Sequence, residues 1–436
     1  MPKKFTQRQA VILLAAAVIV IGGLALFFLN LRGGSGGAAS ANLTVWGTDS
    51  PKAFNDMIAK YVGPGSGSQA SIKYTQIDPA NYGSQVLQAI AAGTGPDVFE
   101  IGNRDLPQWR SVLMPLPPAL ASTFNLTTLQ QDFPDVVSQN FVSGGYIYAL
   151  PLSVDTMAMI YNKDLFNTAG IVSPPKTWSQ LDADIALLRQ ENSSGQITQA
   201  AFALGGSEAS IPNAPDIVFL MMLQNGTQML SSDGSSAAFA STGGTSGTAG
   251  QNAFDFYLQF SSAASQYYTW NDSMGNAIDA FAQGKVAAIF DYSSALPIIR
   301  AKAPFLNYGV AQMPQADNTQ VAIAYADYQG LAVNRNSPNA AAAWQFIIGL
   351  TTNPADASIY TSDTGAPPAL RSLISADMTD PVMSVFASQA LEAKSWYEAN
   401  STNIDTAVNG AIESVLQGSA DSTTALNEAQ SQINGG

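Results

Sequence analysis

The chain contains neither histidine nor cysteine. The first absence excludes a Ser-His-Asp triad, imidazole acid–base chemistry and histidine-ligated metals. The second excludes thiol catalysis, disulfides and thiolate zinc sites. Charge is scarce as well, at 11% of 436 residues, so the surface must be built largely from Ser, Thr, Asn, Gln and Gly, which suits an exported protein better than a cytosolic one. Bases are the rarer sign: 18 Lys and Arg stand against 32 Asp and Glu. The first 41 residues hold Lys3, Lys4, Arg8 and Arg32 and no acid, so the rest of the chain is strongly acidic and should repel nucleic acid and anionic lipid. An enzyme made from this chain would be confined to carboxylates, Lys, Tyr or Ser; glycosidases do work with two carboxylates. No D-x-D-x-D-G spacing for a hard cation occurs, and neither a metal nor a cofactor is expected.

What is present begins with an apolar, uncharged run from Ala10 to Leu31, long enough to span a bilayer as one helix. The basic residues before it predict a cytoplasmic N-terminus and an exported body. The Gly-Gly-Ser-Gly-Gly stretch from Gly33 reads as a flexible tether, which favours an uncleaved anchor, although Ala39-Ser40-Ala41 has the small-x-small form of a cleavage site.

The body opens with alternating NLTVW (Asn42–Trp46), a strand, and a turn through Asp49 into a helix started by Ser50 and Pro51. Free backbone donors at that helix start lie near Trp46 and Asp49. A helix from Tyr82 ends at GTGPD (Gly93–Asp97), and a buried strand follows; the loop after it, Gly102-Asn103-Arg104-Asp105, sits where ligands bind in open α/β sheets. Leu113–Asp135 is Pro-rich with little period, and Ser231–Gly250 is nearly all Ser, Gly, Thr and Ala, which predicts a mobile surface loop. Further helices are expected over 178–190, 216–223, 253–260, 340–350 and 418–432.

The most informative stretch is Tyr148–Leu181, YALPLSVDTMAMIYNKDLFNTAGIVSPPKTWSQL. It reads as a stiff Leu-Pro, Asp155 at the mouth of a short buried strand, a helix ended by Gly170, and Thr177 with Gln180 as a capping box. This order, together with GTGPDVFEIG, AIDAFAQGKVAAIFDYSSAL (Ala277–Leu296), NYGVAQMP (Asn307–Pro314), GLAVNRNSP (Gly330–Pro338) and TGAPPAL (Thr364–Leu370), resembles the extracellular solute-binding proteins of ABC importers, in the group that includes the maltose-binding proteins. The resemblance covers most of the chain from Asn42 onward.

It implies an α/β, two-lobed periplasmic-binding-protein-like fold of class II after the N-terminal membrane helix. The expected divisions are 1–32 cytoplasmic end and anchor, 33–41 linker, 42–150 plus 308–332 first lobe, and 151–307 plus 333–436 second lobe. Asp155 would stand in the cleft at the first crossover. Tyr325, Asp327 and Tyr328 fall on a loop that lines the cleft in relatives. A tryptophan that often stacks on sugar in the group is replaced by Ser294, with Tyr292 two residues earlier.

Aromatic rings stacking on a sugar while carboxylates, amides and backbone groups bond its hydroxyls make a sound polyol site. The expected ligand-binding set is Trp46, Asp49, Gly102, Asn103, Asp155, Trp270, Tyr292, Tyr325, Tyr328 and Trp396. Trp109, Trp178 and Trp344 read as packing. Acids outnumber bases near the predicted cleft, where Asp49, Asp105, Asp155 and Asp327 face only Arg104, so an anionic solute is disfavoured. The resulting expectation is a non-catalytic, monomeric binder of a small neutral solute, most simply a mono- or oligosaccharide, which closes by hinge motion and serves ABC permease subunits at the membrane. A carboxylate-only glycoside hydrolase and a polyamine or cation binder are the alternatives.

Overall fold

The computed structural model describes residues 41–63, 70–241, 247–317, 319–376, 379–396 and 401–435. The apolar run Ala10–Leu31 and the tether lie outside the described residues. Among the described residues, no helix is long and apolar enough to cross a membrane.

In chain order the strands are β1 (Asn42–Gly47), β2 (Ser71–Gln76), β3 (Val98–Gly102), β4 (Leu113–Met114), β5 (Val142–Ser143), β6 (Tyr146–Ile147), β7 (Ala149–Pro151) and β8 (Asp155–Thr156). Then come β9 (Ala158–Asn162), β10 (Gln190–Glu191), β11 (Ile197–Phe202), β12 (Val286–Asp291), β13 (Tyr308–Ala311), β14 (Ala324–Asp327), β15 (Gln329–Asn334) and β16 (Ala393–Lys394). Two larger sheets form, ordered β2-β1-β3-β15-β4 with β7 beside β15, and β10-β11-β12-β9-β13. Each sheet has its own buried apolar core. The molecule is therefore two lobes.

Local chemistry explains the elements. β1 alternates, with Leu43 and Val45 buried and Asn42 and Thr44 exposed, as one face of a sheet requires. Pro51 begins the helix Pro51–Tyr61, which turns Phe54, Met57 and Ile58 to the core; Ser50 is extended but makes no side-chain cap. β12 is buried along its whole length, and its sequence VAAIFD lacks alternation for that reason. The capping box is only half formed: Thr177 Oγ1 accepts from Gln180 N at 3.3 Å, while Gln180 Oε1 accepts from Lys176 N, one residue before the cap.

A third sheet joins the lobes. β8, β14 and β16 come from three distant parts of the chain, with β14 antiparallel to β8 and parallel to β16. Each strand is one passage between lobes, so this small sheet is the hinge.

That placement corrects the expected division. β13 does not cross: it pairs with β9 inside the second sheet, and the chain returns to the first lobe only through β14. β15 lies in the middle of the first sheet, and the following helix Ala340–Thr352 buries Trp344, Phe346 and Ile347 in the first core, so 340–374 belongs to the first lobe. The third passage is β16, after which Trp396, Ile404 and Val408 pack into the second core. The physical reason is that an apolar strand–turn–helix pattern is the same whether the helix packs on its own lobe or the next.

Two low-periodicity stretches are also more structured than expected. Phe124, Leu129 and Phe133 are buried in the first core around the helix Leu126–Asp132. In the Ser/Gly-rich stretch, 242–246 lie outside the described residues, but Ala237, Phe239 and Ala240 are buried. Ala237 N and Ala240 N donate to Asn434 Oδ1 and Gln430 Oε1 of the last helix at 2.8 and 2.7 Å.

Candidate functional site

A cavity of about 310 Å³ opens where the two lobes meet over the hinge sheet. The first lobe supplies Asp49 from the turn after β1, Glu100 from β3, Ser153, Tyr328 and Tyr360; the second supplies Asn213, Tyr292 and Ser294; the hinge strands supply Asp155 and Asp327. Four carboxylates line this space, and among the described residues no Lys or Arg does.

Asp155 sits on the floor. Its Oδ2 accepts from Ser293 Oγ at 2.7 Å and Ser293 N at 3.0 Å, and its Oδ1 from Thr156 N at 2.9 Å. These bonds stitch hinge strand β8 to the turn after β12. Burial nevertheless pushes the Asp155 carboxyl up to about 7, with the bonds from Ser293 and Thr156 opposing and Asp327 adding.

Glu100 lies in the buried strand β3, between β1 and β15. Its Oε2 accepts from Thr48 N at 2.8 Å. Burial first, and then the neighbouring Asp49, push it up to about 8. Asp49 is raised by burial and steadied by Tyr360, whose hydroxyl donates to Asp49 Oδ2 at 2.6 Å. Two carboxyls so placed cannot both ionise cheaply, so burial and Asp49 together favour the protonated form of Glu100.

Tyr292 is 5% exposed and lines the second-lobe wall, and its hydroxyl donates to Asp216 Oδ2 at 2.6 Å. Asp216 in turn pairs with Arg104, at 3.2 Å.

The cavity thus brings together Asp49, Asp155, Tyr292 and Tyr328 of the expected set. The others stand elsewhere. Trp46 is half-buried against the first core. Gly102 ends β3, where a Cβ would come within 2.5 Å of Asp105 Oδ2. Asn103 is fully buried, its Nδ2 donating to Ala326 O at 3.1 Å. Trp270 is in the second core, donating from Nε1 to Ser210 Oγ at 3.1 Å. Tyr325 is fully buried in β14 against Phe219. Trp396 follows β16 and packs edge-on against Phe219 and Phe239.

Glu100, Ser153, Asn213 and Tyr360 were not singled out by the sequence. Only Glu100 carried a signal, a lone carboxylate inside the apolar run Val98–Ile101. Among the described residues, no group of carboxylates is arranged to hold a metal ion.

The model of the family described as bacterial extracellular solute-binding protein matches residues 46–357. The chain belongs to that family. That family is described as one of solute-binding proteins, not of enzymes. The sequence of this solute-binding protein is 29% identical over 262 residues to a binding protein of Brucella abortus (strain 2308), a match that covers 59% of this chain and 59% of that relative. It is also 29% identical over 170 residues, 37% of each chain, to the diacetylchitobiose binding protein DasA of Streptomyces coelicolor. Among solved structures, the sugar-binding protein MalE from Xanthomonas citri aligns with a TM-score of 0.75 at 20% identity, covering 91% of this chain and 97% of that one. The cyclic alpha-maltosyl-1,6-maltose binding protein from Arthrobacter globiformis aligns at 0.74 and 20%, covering 91% and 99%. At such identities these structures establish the maltose-binding-protein-like fold alone.

Proposed function

We propose that this solute-binding protein captures a small neutral carbohydrate, a mono- or oligosaccharide, between its lobes and delivers it by hinge closure to the membrane subunits of an ABC importer. The observation that carries the reading is the inter-lobe cavity, where Tyr292, Tyr328 and Tyr360 stand beside Asp49, Glu100, Asp155 and Asp327 with no base on the lining. Flat apolar faces beside convergent acceptors fit a ring with hydroxyls on its edge. At about 310 Å³ the space is at the small end of ligand sites, which favours one or two sugar rings over a long chain. The names of the sugar-binding relatives point the same way. Body and membrane are joined in this reading through Ala10–Leu31, or the body is released by cleavage after Ala41; the intact mass of the mature protein distinguishes the two.

The same four carboxylates support one second reading, a solute carrying ammonium groups. Titration calorimetry of the exported body with maltose and with putrescine separates them. Heat with maltose supports the sugar reading; heat with putrescine alone replaces it. A thermal-shift screen over small sugars extends the test, since a guest at 100 times its dissociation constant adds about 2.7 kcal/mol to stability.

A further inference from the structure

We propose that Arg104 is a positioning residue: a buried cation that pins the two acidic lobes in the arrangement seen here and holds Tyr292 against the cavity. Arg104 belongs to the first lobe, in the loop after β3, but its carboxylate partners are in the second, and its Nη1 also donates to the Tyr325 hydroxyl on hinge strand β14 at 3.4 Å. Its Nη1 donates to Asp216 Oδ1 at 3.2 Å and Asp405 Oδ1 at 3.1 Å, and its Nη2 to Asp405 Oδ2 at 3.2 Å. Asp216 is in the first turn of the helix Ala214–Gln224, and Asp405 is on Ser401–Leu416. The Arg104 and Asp216 side chains are 10% and 7% exposed. Other ion pairs between described residues, such as Lys52–Asp363, Lys302–Asp279 and Arg371–Asp135, each stay within one lobe.

The reason for a pin is electrostatic. Asp216 and Asp405 of the second lobe lie within electrostatic reach of one another and of Asp327 on the hinge, and Asp405 also of Asp105 on the first lobe, in a chain of net charge −14. Like charges moved into a drier space repel more strongly. A guanidinium that forks onto one carboxylate and also reaches a second offsets that repulsion with fixed geometry, which an ammonium could not reproduce. The pin also reaches the guest wall: Asp216 uses its other oxygen to accept from Tyr292, which faces the cavity. Arg104 follows Asn103, whose N donates to Tyr328 O beside the hinge, so a small shift at the pin becomes a large one at the outer edges of the lobes.

The test uses the absence of cysteine. Gln88→Cys on the first lobe and Gln283→Cys on the second, both exposed, take spin labels, and no other site reacts. In the full chain without guest, Arg104→Gln should move the inter-lobe distance distribution to longer values by several ångströms while far-UV circular dichroism is unchanged, and Arg104→Lys should fall between. A distribution for Arg104→Gln that superimposes on the parent's overturns the proposal. If Arg104→Gln does not fold, Asp405→Asn decides, because it removes the forked partner from the more exposed edge of the cluster, at 27%. It should shift the distribution the same way by less, and no shift overturns the pin. Neither measurement depends on the guest, so a failed sugar screen leaves this result interpretable.

Discussion

Asp155 and Asp327 are register partners in the antiparallel pairing of β8 with β14, so two carboxylates stand directly opposite one another on the floor of the cavity. Like charges at opposed ladder positions repel, and only retention of a proton or the arrival of a complementary group relieves them. The hinge of this solute-binding protein thus carries opposed carboxylates, whose repulsion adds to the burial that raises Asp155.

A pH dependence of unusual sign follows. Asp155 moves from an ordinary 3.8 to about 7, Asp216 to about 7 and Glu100 from 4.5 to about 8, each chiefly by burial. A carboxyl raised on folding binds a proton in the native state that the unfolded chain has already lost. Stability therefore falls as pH rises from about 4 towards 7 or 8, by up to about 1.4 kcal/mol per pH unit for each group inside its window. Thermal melts should give a higher Tm at pH 5 than at pH 8, and Asp155→Asn should flatten the difference. A Tm that climbs from pH 5 to pH 8 would contradict the assignment.

Tyr360 tests the first-lobe wall. Its hydroxyl donates to Asp49 Oδ2 at 2.6 Å from a ring that is itself 8% exposed. Tyr360→Phe leaves Asp49, already raised by burial, without that donor. The expected loss is about 1–3 kcal/mol in urea unfolding, with the Asp49 carboxyl titrating higher still by NMR. An unchanged midpoint would mean that water replaces the hydroxyl at no cost.

The sequence was legible where pattern and place coincide. Strands β1, β3, β9 and β12 and the helices from Pro51, Tyr82, Trp178 and Ala340 could be read from alternation, caps and turn residues because each is a local preference. The lobe boundaries were not, because the two later passages are set by pairing partners, β14 with β8 and β16 with β14, that are far away in the chain. In the site, Asp49 follows β1 and Asp155 begins β8, and it was the resemblance to the family that set both positions at the cleft. The aromatics gave no such handle: Trp270, Tyr325 and Trp396 have the composition of a sugar platform but the burial of core residues. Tyr360 lay on a helix with no feature to mark the face it presents.

Gly205 measures how tightly the second lobe is packed. It has φ +89°, and a Cβ there would be 2.7 Å from Ser261 N and 3.0 Å from Tyr257 O, both backbone atoms that cannot swing away. Gly205→Ala should therefore destabilise by roughly 2–4 kcal/mol, from left-handed strain and overpacking together. Denaturant melts would show a lowered midpoint with an unchanged slope.

Asn103 separates a guest contact from a hinge support. It stood in the expected binding set, yet its side chain is fully enclosed. Nδ2 donates to Ala326 O at 3.1 Å and to Ser395 Oγ at 3.3 Å, and Oδ1 accepts from Tyr328 N at 3.3 Å. Those partners are on, or adjoin, the second and third passages, so one amide ties the first lobe to two hinge strands. Asn103→Ala strands several buried groups and should cost roughly 2–4 kcal/mol in unfolding free energy. Any effect on guest affinity should come through the hinge, as a changed proportion of closed molecules rather than a lost contact. A direct contact would give the reverse pattern, with stability kept, closure of the empty protein unchanged and affinity lost. Chemical denaturation set beside inter-lobe distances in the same variant discriminates the two, because only a support moves both.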